Sequence, residues 1–167
     1  MIRQNYYFLV AGLPDVTMDH GKLQFGTTEL REELKAGLVQ NDFNYFQLLF
    51  LPNDNANLLS LLQKDQRPML PGGVYAPDFL AEEIKEPQQV KPYIKRFIES
   101  FTGETRLYPN LTPENELTTL WYEEMLATDH EFLRDWFTFD LNLKNILLVI
   151  SARKNDLPFE NQVIGNN

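Results

Sequence analysis

The chain has 167 residues, of which 43% are hydrophobic and 13% aromatic, enough apolar mass for a packed core and too much for a disordered acidic tail. Its formal net charge is −9, evenly spread, and no Lys/Arg cluster exceeds two adjacent residues, so neither a nucleic-acid face nor a basic membrane-binding helix is expected. The absence of cysteine excludes disulfides, thiolate nucleophiles and Cys-ligated metal, and it fits a reducing, cytoplasmic setting.

The first apolar run, "YYFLVAGL" at 6–13, is closed by Pro14-Asp15 and is far too short to span a bilayer. It has strand propensity, but its length and Gly12 suit a short helix as well. Thr28 is expected to cap a helix through Leu34, with Glu29, Glu32 and Glu33 at its positive end and Gly37 closing it. "DFNYFQLLFL" at 42–51 reads as a short apolar helix stopped by Pro52, and Asp54 as the cap of the next, through Lys64. "RPMLPGGVYAP" at 67–77 packs three prolines and two glycines together and must be a loop, expected to be exposed. Asp78 then caps "DFLAEEI".

Pro92 fits a first helical turn, so a helix starts there and ends at Gly103. Thr112, Pro113, Glu114 and Glu116 form the strongest start signal of the chain. Leu117, Leu120, Trp121 and Met125 follow as one apolar stripe. After "ATD" a helix carries Phe132, Leu133, Trp136 and Phe137 into "FDLNLKNILLVISARK" at 139–154, either continuously or with a break at Asp140. The fold predicted is all-α, a bundle of about seven helices in a single domain over residues 1–167. The polar tail "LPFENQVIGNN" either frays or leads into further chain.

Residues 49–62 align with 137–150 at an offset of 88. Asp54 meets Asn142, Asn57 meets Asn145, and Leu58, Leu59 and Leu62 meet Ile146, Leu147 and Ile150. Read physically, each copy is a helix, a polar step that satisfies free backbone donors, and an amphipathic helix. The competing reading is two capped helices alike by chance.

"NLKNIL" followed by "ARK" resembles a recurring segment of the socket subunit, designated C or d, of V/A-type rotary ATPases. That resemblance implies an all-helical fold like that of the socket subunit, built from repeated helix–step–helix units. It also implies a non-catalytic socket in the central stalk, between the shaft and the membrane rotor ring. "NYYFLVAGLPDV" and "NQVIGNN" more specifically resemble a bacterial family of unknown function distantly akin to the socket subunit, of which this chain looks like an N-terminal part. Asn142, Leu143, Lys144, Ile146 and Leu147 match the motif and are expected to build a helix start. Leu148 stands where the motif has Arg, and Ala56 stands in the first copy where Lys144 stands in the second.

Chemistry-bearing residues are sparse, and no catalytic, cofactor-binding or metal site is expected. His20 and His130 are the only histidines, and "TDHEFLRD" reads as a solvated helix start. Glu82-Glu83 and Glu123-Glu124 are adjacent acids, which a paired acid/base mechanism does not use. Ser60, Ser100 and Ser151 lack a neighbouring His, and "PGG" at 71–73 lacks the Gly-Lys-Ser/Thr of a phosphate loop. It supplies turn geometry or a flexible contact loop. Tyr45, Phe46, Trp121, Trp136 and Phe137 read mostly as core, with a partner groove as the minor alternative. The function expected is protein docking, with rotary-ATPase shaft and rotor-ring subunits as partners and membrane association only through such a complex. The alternatives are a helical scaffold or regulator with other partners and, third, a small hydrolase-like enzyme with an acidic pocket.

Overall fold

A computed structural model describes residues 5–14, 26–159 and 162–165. Among these the structure is all helical, without strands. The elements are α1 (Tyr7–Gly12), α2 (Thr27–Gly37), α3 (Gln40–Gln47), a 3-10 turn (Leu48–Phe50), α4 (Leu51–Gln63), α5 (Pro77–Glu83), α6 (Pro92–Thr102), α7 (Pro113–Leu126) and α8 (Glu131–Lys154). The run with both strand and helix character is the short helix α1.

Proline at the first turn organises four of these helices: Pro52, Pro77, Pro92 and Pro113 all stand at the start of one. Its fixed φ suits a first turn, where the missing N–H has no helical partner in any case. Thr112 caps α7 as expected, its hydroxyl accepting from the Asn115 N–H at 3.2 Å. Gly37 ends α2 and Gly103 follows α6, also as expected.

Three expected caps are corrected. Gly26, not Thr28, is the N-cap of α2. Pro52 stands in the first turn of α4, just after Leu51, and does not stop a helix there, so Asp54 falls inside that first turn. Ala76 caps α5, and Asp78 lies within that helix.

α6 packs on α7, α7 on α8, and α4 on both α5 and α7. The stripe of Leu117, Leu120, Trp121 and Met125 is buried there with Leu51, Leu58, Ile94 and Phe97. α8 joins through Leu133 and Phe137, the Phe137 ring standing edge-on to Trp121 at 5.3 Å between centroids. Edge-to-face geometry sets the positive rim of one ring against the negative face of the other.

Candidate docking surface

Three buried carboxylates tie loops to this framework. Asp54, fully buried in α4, accepts from the N–H groups of Val74 at 2.7 Å and Tyr75 at 2.9 Å. Gly73 is required here, because a Cβ on it would stand 2.4 Å from Asp54 Oδ1. Arg31 donates to the Gly73 carbonyl. Glu83 accepts from the N–H groups of Gln88 and Gln89 at 2.7 and 2.8 Å. Glu116, also fully buried, pairs with Arg106 and accepts from the Leu107 N–H at 2.8 Å. Each buried carboxylate is satisfied by backbone donors of the loop it holds.

Their electrostatics differ. Burial pushes the Asp54 carboxyl above its ordinary range, although the Tyr75 and Val74 N–H groups and the Arg31 charge oppose it. For Glu83 burial acts in the same direction, but the N–H groups of Gln89, Gln88 and Val90 together outweigh it and lower its pKa.

Two asparagines add a second kind of clamp. Asn57 Nδ2 donates to the Leu70 carbonyl at 3.0 Å, and the Leu70 N–H donates to Asn57 Oδ1 at 2.7 Å. Asn145 Nδ2 donates to the Ile164 carbonyl at 2.9 Å, and the Ile164 N–H donates to Asn145 Oδ1 at 3.0 Å. The two asparagines are the pair that the offset of 88 aligns. A glycine with positive φ follows closely on each clamped residue, Gly72 at +82° and Gly165 at +72°. The loop over 67–77 is exposed over most of its length, as expected, but it is fastened at several points and residues 72–75 are half-buried, so "PGG" supplies turn geometry.

The helix–step–helix expectation is corrected as well. The first copy passes through a 3-10 turn between α3 and α4, whereas the second lies within the unbroken α8. Asn142, Leu143, Lys144, Ile146 and Leu147 therefore sit in mid-helix and build no helix start. α8 starts well upstream of Asp140, at Glu131, where His130 accepts from the Leu133 N–H at 3.4 Å as N-cap. With the backbone already capped there, Asn142 and Asn145 have no free helical donors to satisfy.

The motif residues point in different directions. Lys144 Nζ lies 3.6 Å from Asp140 and 5.2 and 5.6 Å from the ring centres of Tyr122 and Trp121. Asn145 faces the tail. Leu143, Ile146 and Leu147 are exposed, as is Ile150, at 41%, 56%, 57% and 58%. Leu58 and Leu59, aligned with Ile146 and Leu147, are buried, and Leu62, aligned with Ile150, is half-buried. Phe132, Trp136 and Phe139 extend the exposed face toward the start of α8, so Trp136 lies outside the core and Phe137 within it. A second exposed apolar cluster, Tyr7, Phe8 and Val10, lies on α1.

The remaining candidates are dispersed. His20 lies outside the described residues, and the His130 ring packs edge-on against Tyr45 at 4.7 Å. No group of three or more His, Asp or Glu that could hold a metal occurs among the described residues. Ser100 donates to the Phe97 carbonyl, Ser60 is buried, and Ser151 is exposed on α8. Glu124 accepts from the Tyr93 N–H, and Glu123 accepts from Tyr108 and pairs with Arg96 at 3.5 Å. A cleft of about 230 Å³ is lined by Asn55, Arg67, Glu114, Trp121 and Lys144 among others, and holds a single carboxylate. No helix among the described residues is long and apolar enough to cross a membrane.

The fold and these surfaces define an all-α protein whose loops are clamped to its helices and whose longest helix keeps an uncovered apolar face. The chain belongs to the family described as "Protein of unknown function (DUF2764)", which matches residues 3–167. No curated protein and no solved structure matches it.

Proposed function

We propose that the protein is a non-catalytic docking component of a V/A-type rotary ATPase, similar in role to the socket that joins the central shaft to the membrane rotor ring. The observation that carries the docking part is the pair of exposed apolar surfaces, Tyr7, Phe8 and Val10 on α1 and the outer face of α8. Apolar patches of this kind mark interaction surfaces. The rotary-ATPase part rests on the motif resemblance, whose residues Leu143, Ile146 and Leu147 lie on that outer face. A socket that transmits torque needs broad, shape-based contacts, and the −9 charge would orient it toward basic partners.

The test is co-purification of the protein with shaft and rotor-ring subunits from native membranes, together with binding to reconstituted ring. Specific capture of shaft or ring, weakened by Phe8→Asp, is the expected result. Failure to bind both would end the rotary-ATPase reading. Binding instead to a defined soluble protein would favour the helical scaffold.

A further inference from the structure

α8 has two apolar faces. One, through Leu133, Phe137 and Ala152, is buried. The other runs through Phe132, Trp136, Phe139, Leu143, Ile146 and Ile150, all between 41% and 67% exposed. Successive members of this outer row are spaced 4, 3, 4, 3 and 4 residues apart. That alternation is the seam of knobs-into-holes packing, in which one helix lies along another at a shallow angle. A helix made to lie on a lipid surface would flank its apolar stripe with Lys and Arg. Here the flanks over most of the row are Asp135, Asp140 and Asn142, Lys144 is drawn toward Asp140, and cations border the row only at its end, as Arg153 and Lys154.

We infer that a second copy of this chain covers the outer face, the two α8 helices packing antiparallel about a two-fold axis near Leu141. Side-chain size selects this occupant. Phe132 and Ile150, Trp136 and Ile146, and Phe139 and Leu143 lie nine, five and two residues either side of Leu141. An antiparallel copy therefore sets a ring against an aliphatic side chain at each level, with every contact made twice, as a two-fold interface requires. A parallel copy would crowd Trp136 on Trp136 and Phe139 on Phe139, and leave the aliphatic end thin.

Charge selects the same arrangement. Glu131 and Asp135 mark the start of α8, and Arg153 and Lys154 its end. Arg134, the cation near the start, is turned back onto the Thr128 carbonyl at 3.2 Å. Antiparallel packing brings the acidic end of each helix to the basic end of the other and opposes their dipoles. The inference goes beyond the docking reading, and it leaves Tyr7, Phe8 and Val10 on α1 for an outside partner.

Sedimentation equilibrium of the 167-residue chain tests it, the expected mass being twice 19.6 kDa. Leu143→Glu, next to the axis, buries two carboxylates and should weaken the dimer by about tenfold or more. Circular dichroism checks that this exposed substitution leaves the helices intact. Orientation is read in the cysteine-free chain by mixing Trp136→Cys with Ile146→Cys, which should form the mixed disulfide while neither variant bonds to itself. A monomer at all concentrations, a dimer indifferent to Leu143→Glu, or self-linking of Trp136→Cys would each overturn the inference. A monomer that still captures rotor or shaft subunits would refute it while leaving the docking reading standing.

Discussion

At the residue scale, acidic side chains divide by what they touch. Asp54, Glu83 and Glu116 are buried and each holds the N–H groups of a loop. Asp54 and Glu83 should give stability opposite dependences on pH. The folded Asp54 carboxyl holds its proton more tightly than the unfolded one. Its contribution is therefore full below the unfolded pKa, about 3.9, and is lost as pH rises through the raised folded value. The folded Glu83 pKa is lowered. Its contribution is present above the unfolded pKa, about 4.3, and is lost as pH falls through the folded value. Urea midpoints measured across the acid range should show Asp54→Asn removing the first slope and Glu83→Gln the second. Parallel profiles for Asp54→Asn and the wild type would mean that its ionisation is not coupled to folding.

At the scale of the element, proline accounts for the helix starts that the sequence places correctly and for two that it misplaces. Pro92 and Pro113 read directly as first-turn residues. The same preference applied to Pro52 and Pro77 moves the boundaries upstream and puts Asp54 and Asp78 inside the first turn, where a carboxylate still meets the positive end of the helix. Asparagines at the aligned positions serve neither as caps nor as steps; they hold returning backbone. Asn57→Ala should cost about 1–3 kcal/mol, because it leaves the Leu70 N–H and carbonyl without their partner. Hydrogen exchange then separates the two clamps. The Leu70 amide should lose protection in Asn57→Ala with Ile164 unaffected, and the reverse should hold in Asn145→Ala. Loss of protection at both sites in either variant would indicate general unfolding.

At the scale of the molecule, the two aligned segments share a sequence pattern but differ in what covers them. Leu58 is wholly buried in the core that α4 forms with α7, while its aligned partner Ile146 and the adjacent Leu147 face outward. Leu58→Ala should therefore cost about 2–5 kcal/mol. In the Leu143→Glu background, where any self-association through this face is weakened, Leu147→Ala should change unfolding free energy by only a few tenths, about 0.5 kcal/mol at most. Denaturant unfolding of both variants makes the comparison. A cost for Leu147 matching that for Leu58 would show that the outer face of α8 is already covered within one chain.

The helical class, the first-turn prolines of α6 and α7, the Thr112 cap and the buried stripe of α7 are all legible in the sequence. They depend on contacts within a few residues, where propensity, capping and the 3.6-residue period act directly. The pairing of Asn57 with Asn145 is also visible as an alignment, but not what the pair does, because each partner lies 13 or 19 residues away along the chain. Only the tertiary structure decided which acids are buried, that α8 runs unbroken past Asp140, and which apolar row of α8 joins the core. Both rows are apolar, so local pattern cannot rank them. The choice falls to Leu133 and Phe137 because those are the side chains that meet Trp121 and its neighbours in the core, and this leaves Leu143, Ile146 and Ile150 facing outward.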